Sequence, residues 1–166
     1  MKTPYLVLSA LAGLILLVTA CSPQAMPATS APATEPPATQ PPAAVPVTGA
    51  ATVSLGENAD LGSFLVDDKD MTLYLFTKDS PNTTVCYDKC ATAWPPLLTN
   101  GNPVAGEGVD AALLGTTERT DGTTQVTYNG WPLYYWKDDA KAGDVLGQKV
   151  GGVWFVLDRD GEPIKK

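Results

Sequence analysis

Apolar and polar positions divide this chain into three regions with different patterns. The first is a nearly unbroken apolar run from Tyr5 to Val18, and the second, residues 22 to about 52, alternates proline with alanine and threonine. From about residue 53 onward, short apolar runs are separated by clusters of glycine, aspartate and asparagine. Such runs predict β-strands, and no stretch keeps the period of a long amphipathic helix. The pattern therefore predicts one folded domain, residues 53–166, of mainly β structure.

The folded region contains an internal repeat with an offset of 60 residues. The repeated motif holds a leucine, a tyrosine, a second aromatic and an aspartate: Leu73, Tyr74, Phe76 and Asp79, matched by Leu133, Tyr134, Trp136 and Asp139. Trp94 and Trp154 keep the same register. Coincidences in a single register indicate duplication of a supersecondary unit, with the two units at about 56–110 and 115–166.

Each unit is predicted to be a β-hairpin whose second strand carries the motif. The first strands are predicted at 62–66 and 123–128, followed by turns at 67–70 and at Asn129-Gly130, a strong hairpin signal. Side chains alternate along a strand, so the motif leucines face one side and the motif tyrosines the other. Both faces are apolar, which is typical of central strands.

A third strand at 153–158 and short helical turns at 85–93 and 109–114 complete the predicted elements. The sequence thus predicts a small, mainly antiparallel β domain built from two repeated hairpin units with short helical turns.

This pattern resembles a family of bacterial secreted-repeat lipoproteins, which carry the motif Tyr-x-(Phe/Trp/Tyr)-x-x-Asp. The matching residues are Tyr74, Phe76 and Asp79, and again Tyr134, Trp136 and Asp139. A cysteine pair leading to Trp94-Pro95-Pro96-Leu97, and the segment 125–130, also look like family features. The resemblance covers nearly all of residues 60–160, but it implies no activity, because the function of these repeats is unknown.

The N-terminus resembles a bacterial lipoprotein signal. Lys2 precedes the apolar run, which is too short for an ordinary membrane-spanning helix. Val18-Thr19-Ala20-Cys21 then matches the four positions of a lipobox. The resemblance implies that residues 1–20 are removed and that Cys21 is lipidated and anchors the protein outside the cytoplasm. Simple secretion with a free Cys21 is the alternative.

Residues 21–52 are predicted to be a disordered tether. This region has eight prolines, no aromatic residue and one charged side chain, that of Glu35. It buries too little apolar surface to offset the entropy of ordering, and its prolines favour an extended spacer. A proline-rich recognition segment is the alternative, but residues 21–52 contain neither the basic nor the aromatic residues that would support it.

Charge and cysteine content fit an exported domain. The net charge of −7 makes nucleic acid and anionic lipid unfavourable partners. Cys86 and Cys90 are spaced so that a helical turn would bring them within disulfide range, and an oxidising compartment favours that bridge. Redox-active thiols and, least favoured, a metal site are the alternatives.

No catalytic constellation is recognisable in the sequence. The chain has no histidine, which excludes triads, metal sites and acid–base catalysis that depend on a histidine side chain. The repeated tyrosines and aspartates suit general acid–base chemistry, but burial of the ring and capping of a turn explain them better. We expect neither a metal nor a cofactor. Trp94 and Trp131 are predicted to be partly exposed and are the candidate ligand-contact aromatics.

Three functions remain open at this point. The favoured one is a non-catalytic binding or scaffold module in the cell envelope, with a protein or glycan partner. The second is a redox or electron-transfer accessory protein that uses Cys86 and Cys90 or a bound cofactor. The third is an enzyme of unfamiliar type acting on cell-wall polymers.

Overall fold

The structure is a computed structural model that describes residues 48–166. The predicted signal peptide, the lipidation of Cys21 and nearly all of the predicted tether lie outside these residues. Eight strands and one α-helix follow in chain order: β1 (Thr52–Asn58), β2 (Gly62–Asp67), β3 (Tyr74–Phe76), α1 (Lys89–Ala93), β4 (Val104–Ala105), β5 (Leu114–Glu118), β6 (Thr124–Tyr128), β7 (Trp131–Pro132) and β8 (Trp154–Val156). Short 3₁₀ turns lie at Ala111–Leu113 and Val150–Gly152.

The strands form three small sheets. Their strand orders are β2-β1-β4, β3-β8 and β5-β6-β7. All pairs are antiparallel except β1 with β4. The prediction of a small, mainly antiparallel β domain with short helical turns is confirmed.

The turn between β6 and β7 follows directly from its sequence. Asn129 and Gly130 both adopt positive φ, at 48° and 81°, which is the conformation of a tight hairpin turn that few other residues tolerate. The corresponding turn of the first unit is longer by one residue, since Leu73 donates its N–H to Leu65 while Leu133 donates to Val126. Asp67 stabilises the longer turn by accepting the N–H groups of Lys69 and Met71.

The motif strands are β3 in the first unit and residues 133–136, which directly follow β7 and are bridged at Tyr134, in the second. They separate two apolar clusters. Leu73, Leu75 and Leu133 belong to one cluster, which also holds Val53 and Leu157. The motif tyrosines and the aromatic residue two positions later belong to the other cluster, with Trp94 and Trp154. The predicted alternation of faces is therefore confirmed, and the strands are covered on both sides.

The two units interlock around these strands. Tyr74 and Tyr134 exchange backbone hydrogen bonds of 2.8 and 2.9 Å. On its other side, Tyr74 pairs with Val156 of the second unit, while Tyr134 bridges to Pro96 of the first. Each motif strand thus lies beside the third segment of the opposite unit, so both apolar clusters contain residues of the two units.

Candidate functional site

Two buried tyrosine–carboxylate pairs lie at the centre of the domain. The hydroxyl of Tyr74 donates to Oδ2 of Asp139 at 2.6 Å, and that of Tyr134 donates to Oδ2 of Asp79 at 2.6 Å. Both tyrosine side chains are fully buried. Each tyrosine therefore uses the aspartate of the other unit, so the pairs cross between the repeats.

Each aspartate is held in place by the turn that follows its motif strand. The N–H of Asp79 donates to the carbonyl of Phe76, and Oδ1 of Asp79 accepts the N–H of Val85 at 2.9 Å. Asp139 repeats this arrangement, with Oδ1 accepting the N–H of Leu146 at 2.9 Å. The expected bonding of both aspartates to nearby backbone is observed. Their crossed bonds to tyrosine were not predicted.

Burial determines the protonation of both pairs. It raises the pKa of Asp79 and of Asp139 above the usual aspartate value, although the tyrosine hydrogen bonds act in the opposite direction. Burial, followed by the hydrogen bond to the carboxylate, raises the pKa of Tyr74 and of Tyr134 far above the usual tyrosine value. Both phenols therefore keep their protons at neutral pH and serve as donors.

Each phenol oxygen has a second polar neighbour. Thr84 Oγ1 lies 2.6 Å from the Tyr134 hydroxyl, and the N–H of Gly147 donates to the Tyr74 hydroxyl at 3.2 Å. Gly147 is required here by space, because a Cβ atom would lie 2.8 Å from Cζ of Tyr74. Both tyrosines are thus locked in position from two sides.

Four aromatic rings form a continuous stack beside these pairs. Trp94 and Trp154 lie face to face, with ring centroids 3.8 Å apart and planes at 4°. Phe76 covers the outer face of Trp154 at 4.2 Å, and Trp136 covers Trp94 at 4.2 Å. We call this Phe76–Trp154–Trp94–Trp136 series the aromatic column.

The tyrosines pack against the column in T-shaped contacts. Tyr74 contacts Trp94 at a centroid distance of 5.4 Å, and Tyr134 contacts Trp154 at 5.2 Å, both nearly perpendicular. The two central indoles are buried, whereas Trp136 and Phe76 are half-buried. The expectation that Trp94 is partly exposed is therefore wrong, because its indole is needed inside the column. Trp131 is half-buried and packs against the other cluster, so a ligand contact at Trp131 stays a prediction.

The predicted disulfide is present. Cys86 and Cys90 are bridged, with Cα atoms 5.2 Å apart, and the bridge joins the segment before α1 to the first turn of that helix. Cys86 is buried beside the aromatic column.

A buried arginine links the disulfide loop to the second unit. Arg119 donates to the carbonyl of Cys86 at 2.9 Å and to Oε1 of Gln125 at 2.7 Å, and its guanidinium covers the ring of Tyr87. Gln125 in turn donates to the carbonyl of Leu133. Sequence reasoning missed this cluster, because a charged residue beside a turn carries no signal of burial.

The polar groups of this region are engaged with one another. Within residues 48–166, every buried side-chain nitrogen or oxygen atom has a hydrogen-bond partner. In the same part of the chain, no group of three or more His, Cys, Asp or Glu residues is placed to hold a metal ion. The chemistry that the site does offer is a short proton path from each phenol to a carboxylate, next to stacked indoles.

Comparison with known families identifies both repeats. Residues 57–98 and 115–158 each match a family model described as a secreted repeat of unknown function. Neither a curated protein nor a solved structure matches the chain. Across residues 48–166, no helix has the length and apolar character needed to cross a membrane.

Proposed function

Because this chain belongs to the family of secreted repeats of unknown function, we propose that it is a non-catalytic binding or scaffold module of the cell envelope. Secretion places the folded domain outside the cytoplasm. The lipidated Cys21 would hold it at a membrane, and residues 21–52 would act as the tether. The support for this anchor is the lipobox-like sequence itself.

The observation that carries the proposal is the internal pairing of the motif residues. Tyr74, Tyr134, Asp79 and Asp139 are the titratable groups of the repeated motif, and all four are buried and bonded in two crossed pairs. A catalytic acid or base must reach a substrate proton, and these groups face the core instead. The repeat therefore builds a rigid platform, and its binding contacts come from the surface.

The surface offers two similar apolar contacts. Val85 and Leu146 are exposed by 56% and 62%, respectively. Each donates its backbone N–H to the aspartate of its own unit, Val85 six residues after Asp79 and Leu146 seven residues after Asp139, so both side chains are displayed on fixed loops that follow the repeated motif. Together with the half-buried Trp131, these residues are the best candidates for contacting a protein or glycan of the envelope.

Site-specific photo-crosslinking in intact cells tests this proposal. A photoreactive amino acid at position 85 or 146 should give discrete adducts, and digestion with a protease or a glycan hydrolase then identifies the partner class. Val104 provides a matched control, since it is an exposed apolar residue outside both motif loops. No adduct at either motif loop, or the same adducts at position 104, would contradict the binding role.

The second candidate, a redox or electron-transfer accessory, has a specific observation in its favour. That observation does not come from the cysteines, because they are joined in a disulfide with Cys86 buried, which argues against redox chemistry by free thiols. The aromatic column with its two proton-accepting carboxylates favours electron transfer through side chains.

A further inference from the structure

We propose that the aromatic column and the two crossed tyrosine–aspartate pairs form a one-electron relay. An oxidising equivalent enters at the half-buried Trp136, passes through Trp94 and Trp154, and comes to rest as a neutral tyrosyl radical on Tyr74 or Tyr134. The phenolic proton moves to Asp139 or Asp79. This activity is independent of the binding role, and either can fail without the other.

The first support is the contact between successive rings. Centroid separations of 3.8 and 4.2 Å bring Trp136, Trp94 and Trp154 into van der Waals contact. Trp94 and Trp154 overlap face to face, and Trp136 contacts Trp94 at a tilt of 37°, so an electron needs no step through solvent or backbone between these rings. Both tyrosines contact the two central indoles in T-shaped geometry, which extends the path to each phenol.

The second support is the geometry of the central pair. Neutral aromatic rings prefer offset or perpendicular arrangements with centroids about 4.5–7 Å apart, because their quadrupoles repel in a sandwich. Trp94 and Trp154 lie closer than this and almost parallel. A positive charge shared between two stacked rings reverses the repulsion, because each ring face attracts a cation. The arrangement thus suits a one-electron-oxidised indole pair.

The third support is the electrostatic gradient along the column. Trp136 is half-buried and so accessible to an oxidant, and the ammonium group of Lys137, 5.3 Å from its ring centroid, is paired with the carboxylate of Asp138 at 2.7 Å. This ion pair adds little net charge beside Trp136. Asp79 and Asp139, in contrast, lie at the inner end, bonded to the tyrosines. The two carboxylates therefore favour movement of the oxidising equivalent from Trp136 toward the buried phenols.

The fourth support is the proton acceptor. Removal of an electron from a phenol makes its O–H group strongly acidic, so the proton must leave at the same time. One electron passes from the tyrosine to the oxidised indole, which returns to neutral tryptophan. The phenol O–H bond breaks and an O–H bond forms on the carboxylate 2.6 Å away. Reduction of the radical reverses each transfer, since the proton stays within the buried pair.

The co-reactant is a one-electron oxidant of the extracytoplasmic space. An oxygen-derived radical or an oxidised metal complex supplies the hole and is reduced by one electron. No atom other than the shared proton changes its bonding within the protein.

Transient absorption of the purified mature chain tests the relay. A photogenerated ruthenium(III) polypyridyl complex serves as the oxidant. The indole radical band should appear first and decay while the tyrosyl band rises with the same time constant. A persistent indole radical with no tyrosyl band in the wild-type protein would overturn the proposal.

Matched variants locate the proton acceptor. Asp79→Asn with Asp139→Asn keeps an oxygen acceptor but removes the base, so the tyrosyl yield should fall at least tenfold. Tyr135 donates to Asp67 in a third tyrosine–aspartate pair away from the column, which makes Asp67→Asn the control that leaves the yield unchanged. Equal yields in the double variant and wild type, or an equal loss in Asp67→Asn, would overturn the relay.

Two further measurements keep the test independent of the fold of any one variant. Tyr74→Phe with Tyr134→Phe should lengthen the life of the indole radical, whereas Tyr135→Phe should not. In the wild type, the rate of tyrosyl formation should be constant from neutral to mildly alkaline buffer, where the internal carboxylates are ionised and accept the proton. A rate that rises with pH or with buffer concentration across that range would show that solvent takes the proton and would overturn the proposal.

Discussion

Tyr74 and Tyr134 each donate a backbone N–H to the carbonyl of the other, at 2.8 and 2.9 Å, while their hydroxyls bond to the aspartates of opposite units. The duplicated motif is thus joined at its centre by both main chain and side chains. The stability of one unit therefore depends on residues of the other, and the first predictions test this dependence.

Truncation of either tyrosine should destabilise the domain by a similar amount. Tyr74→Ala and Tyr134→Ala each remove a fully buried ring, a change that lowers the free energy of unfolding by about 3–5 kcal/mol. Tyr→Phe at the same positions keeps the ring but removes the hydroxyl donor from a buried carboxylate. This change should lower the free energy of unfolding by about 1–3 kcal/mol. Urea unfolding measures both series. An unchanged midpoint in one alanine variant would mean that the two halves are not equivalent.

The crossed pairing should appear in double-mutant cycles. Tyr74→Phe combined with Asp139→Asn should show a coupling energy of about 0.5–3 kcal/mol, because the two groups are in direct contact. Tyr74→Phe combined with Asp79→Asn, the aspartate of the same motif, should be close to additive. Stronger coupling within one motif than across the two would contradict the crossed arrangement.

The buried aspartates should give the domain a distinctive dependence on pH. The folded pKa of Asp79 and of Asp139 is raised above the ordinary value of 3.8 by burial, so the folded state binds these protons more tightly than the unfolded state. The resulting stabilisation is fully present below pH 3.8 and is lost as pH rises through the folded pKa values.

Replacement of both aspartates by asparagine isolates this effect. The wild type should gain stability relative to Asp79→Asn with Asp139→Asn as the pH is lowered through the mildly acidic range. Unfolding by urea at a series of pH values measures the difference between the two proteins. A difference that is flat, or that changes in the opposite direction, would argue against raised pKa values.

The Cys86–Cys90 bridge should make a modest contribution. It closes a very short loop, so its removal through Cys86→Ala with Cys90→Ala should lower the free energy of unfolding by about 2 kcal/mol. Mass spectrometry of freshly isolated mature protein should find two hydrogens fewer than in the reduced form. Rapid alkylation of both residues in the native protein would instead indicate free thiols.

Lipidation of Cys21 is tested by a single substitution. Cys21→Ser should release the protein from membranes or leave an unprocessed precursor, because the substitution removes the thiol to which the proposed acyl anchor would be attached. Membrane fractionation and intact-mass measurement report the outcome. A conservative change within the tether, such as Thr39→Ser, should alter neither. Unchanged mass and membrane partition of Cys21→Ser would exclude the lipid anchor.

The sequence predicted those features that follow from local periodicity. Alternation along β3 placed Leu73 and Tyr74 on opposite faces, and Asn129-Gly130 predicted the hairpin turn. Both depend on neighbouring residues, so a short window contains the information.

Contacts between residues far apart in the chain could not be predicted from the sequence. A repeat register shows that Tyr74 matches Tyr134, but it cannot show which aspartate each tyrosine contacts, because both assignments satisfy the same pattern. Strands β1 and β5 were missed because they are rich in Thr, Ser, Gly and Glu and gain their stability from pairing with β2 and β6. Trp94 was misplaced because its burial depends on Trp154, sixty positions away.

The crossed pairs also bear on how such a domain arises. A single unit with this motif has its tyrosine and its aspartate directed at a partner, so it is complete only as a twofold dimer of identical chains. Joining two copies by the segment between Leu98 and Leu114 turns that association into an intramolecular one, at a high effective concentration. The fused protein then stays assembled at any dilution. After fusion, a substitution at either tyrosine changes the hydrogen bond of the aspartate in the other unit. The two halves are therefore constrained to diverge together.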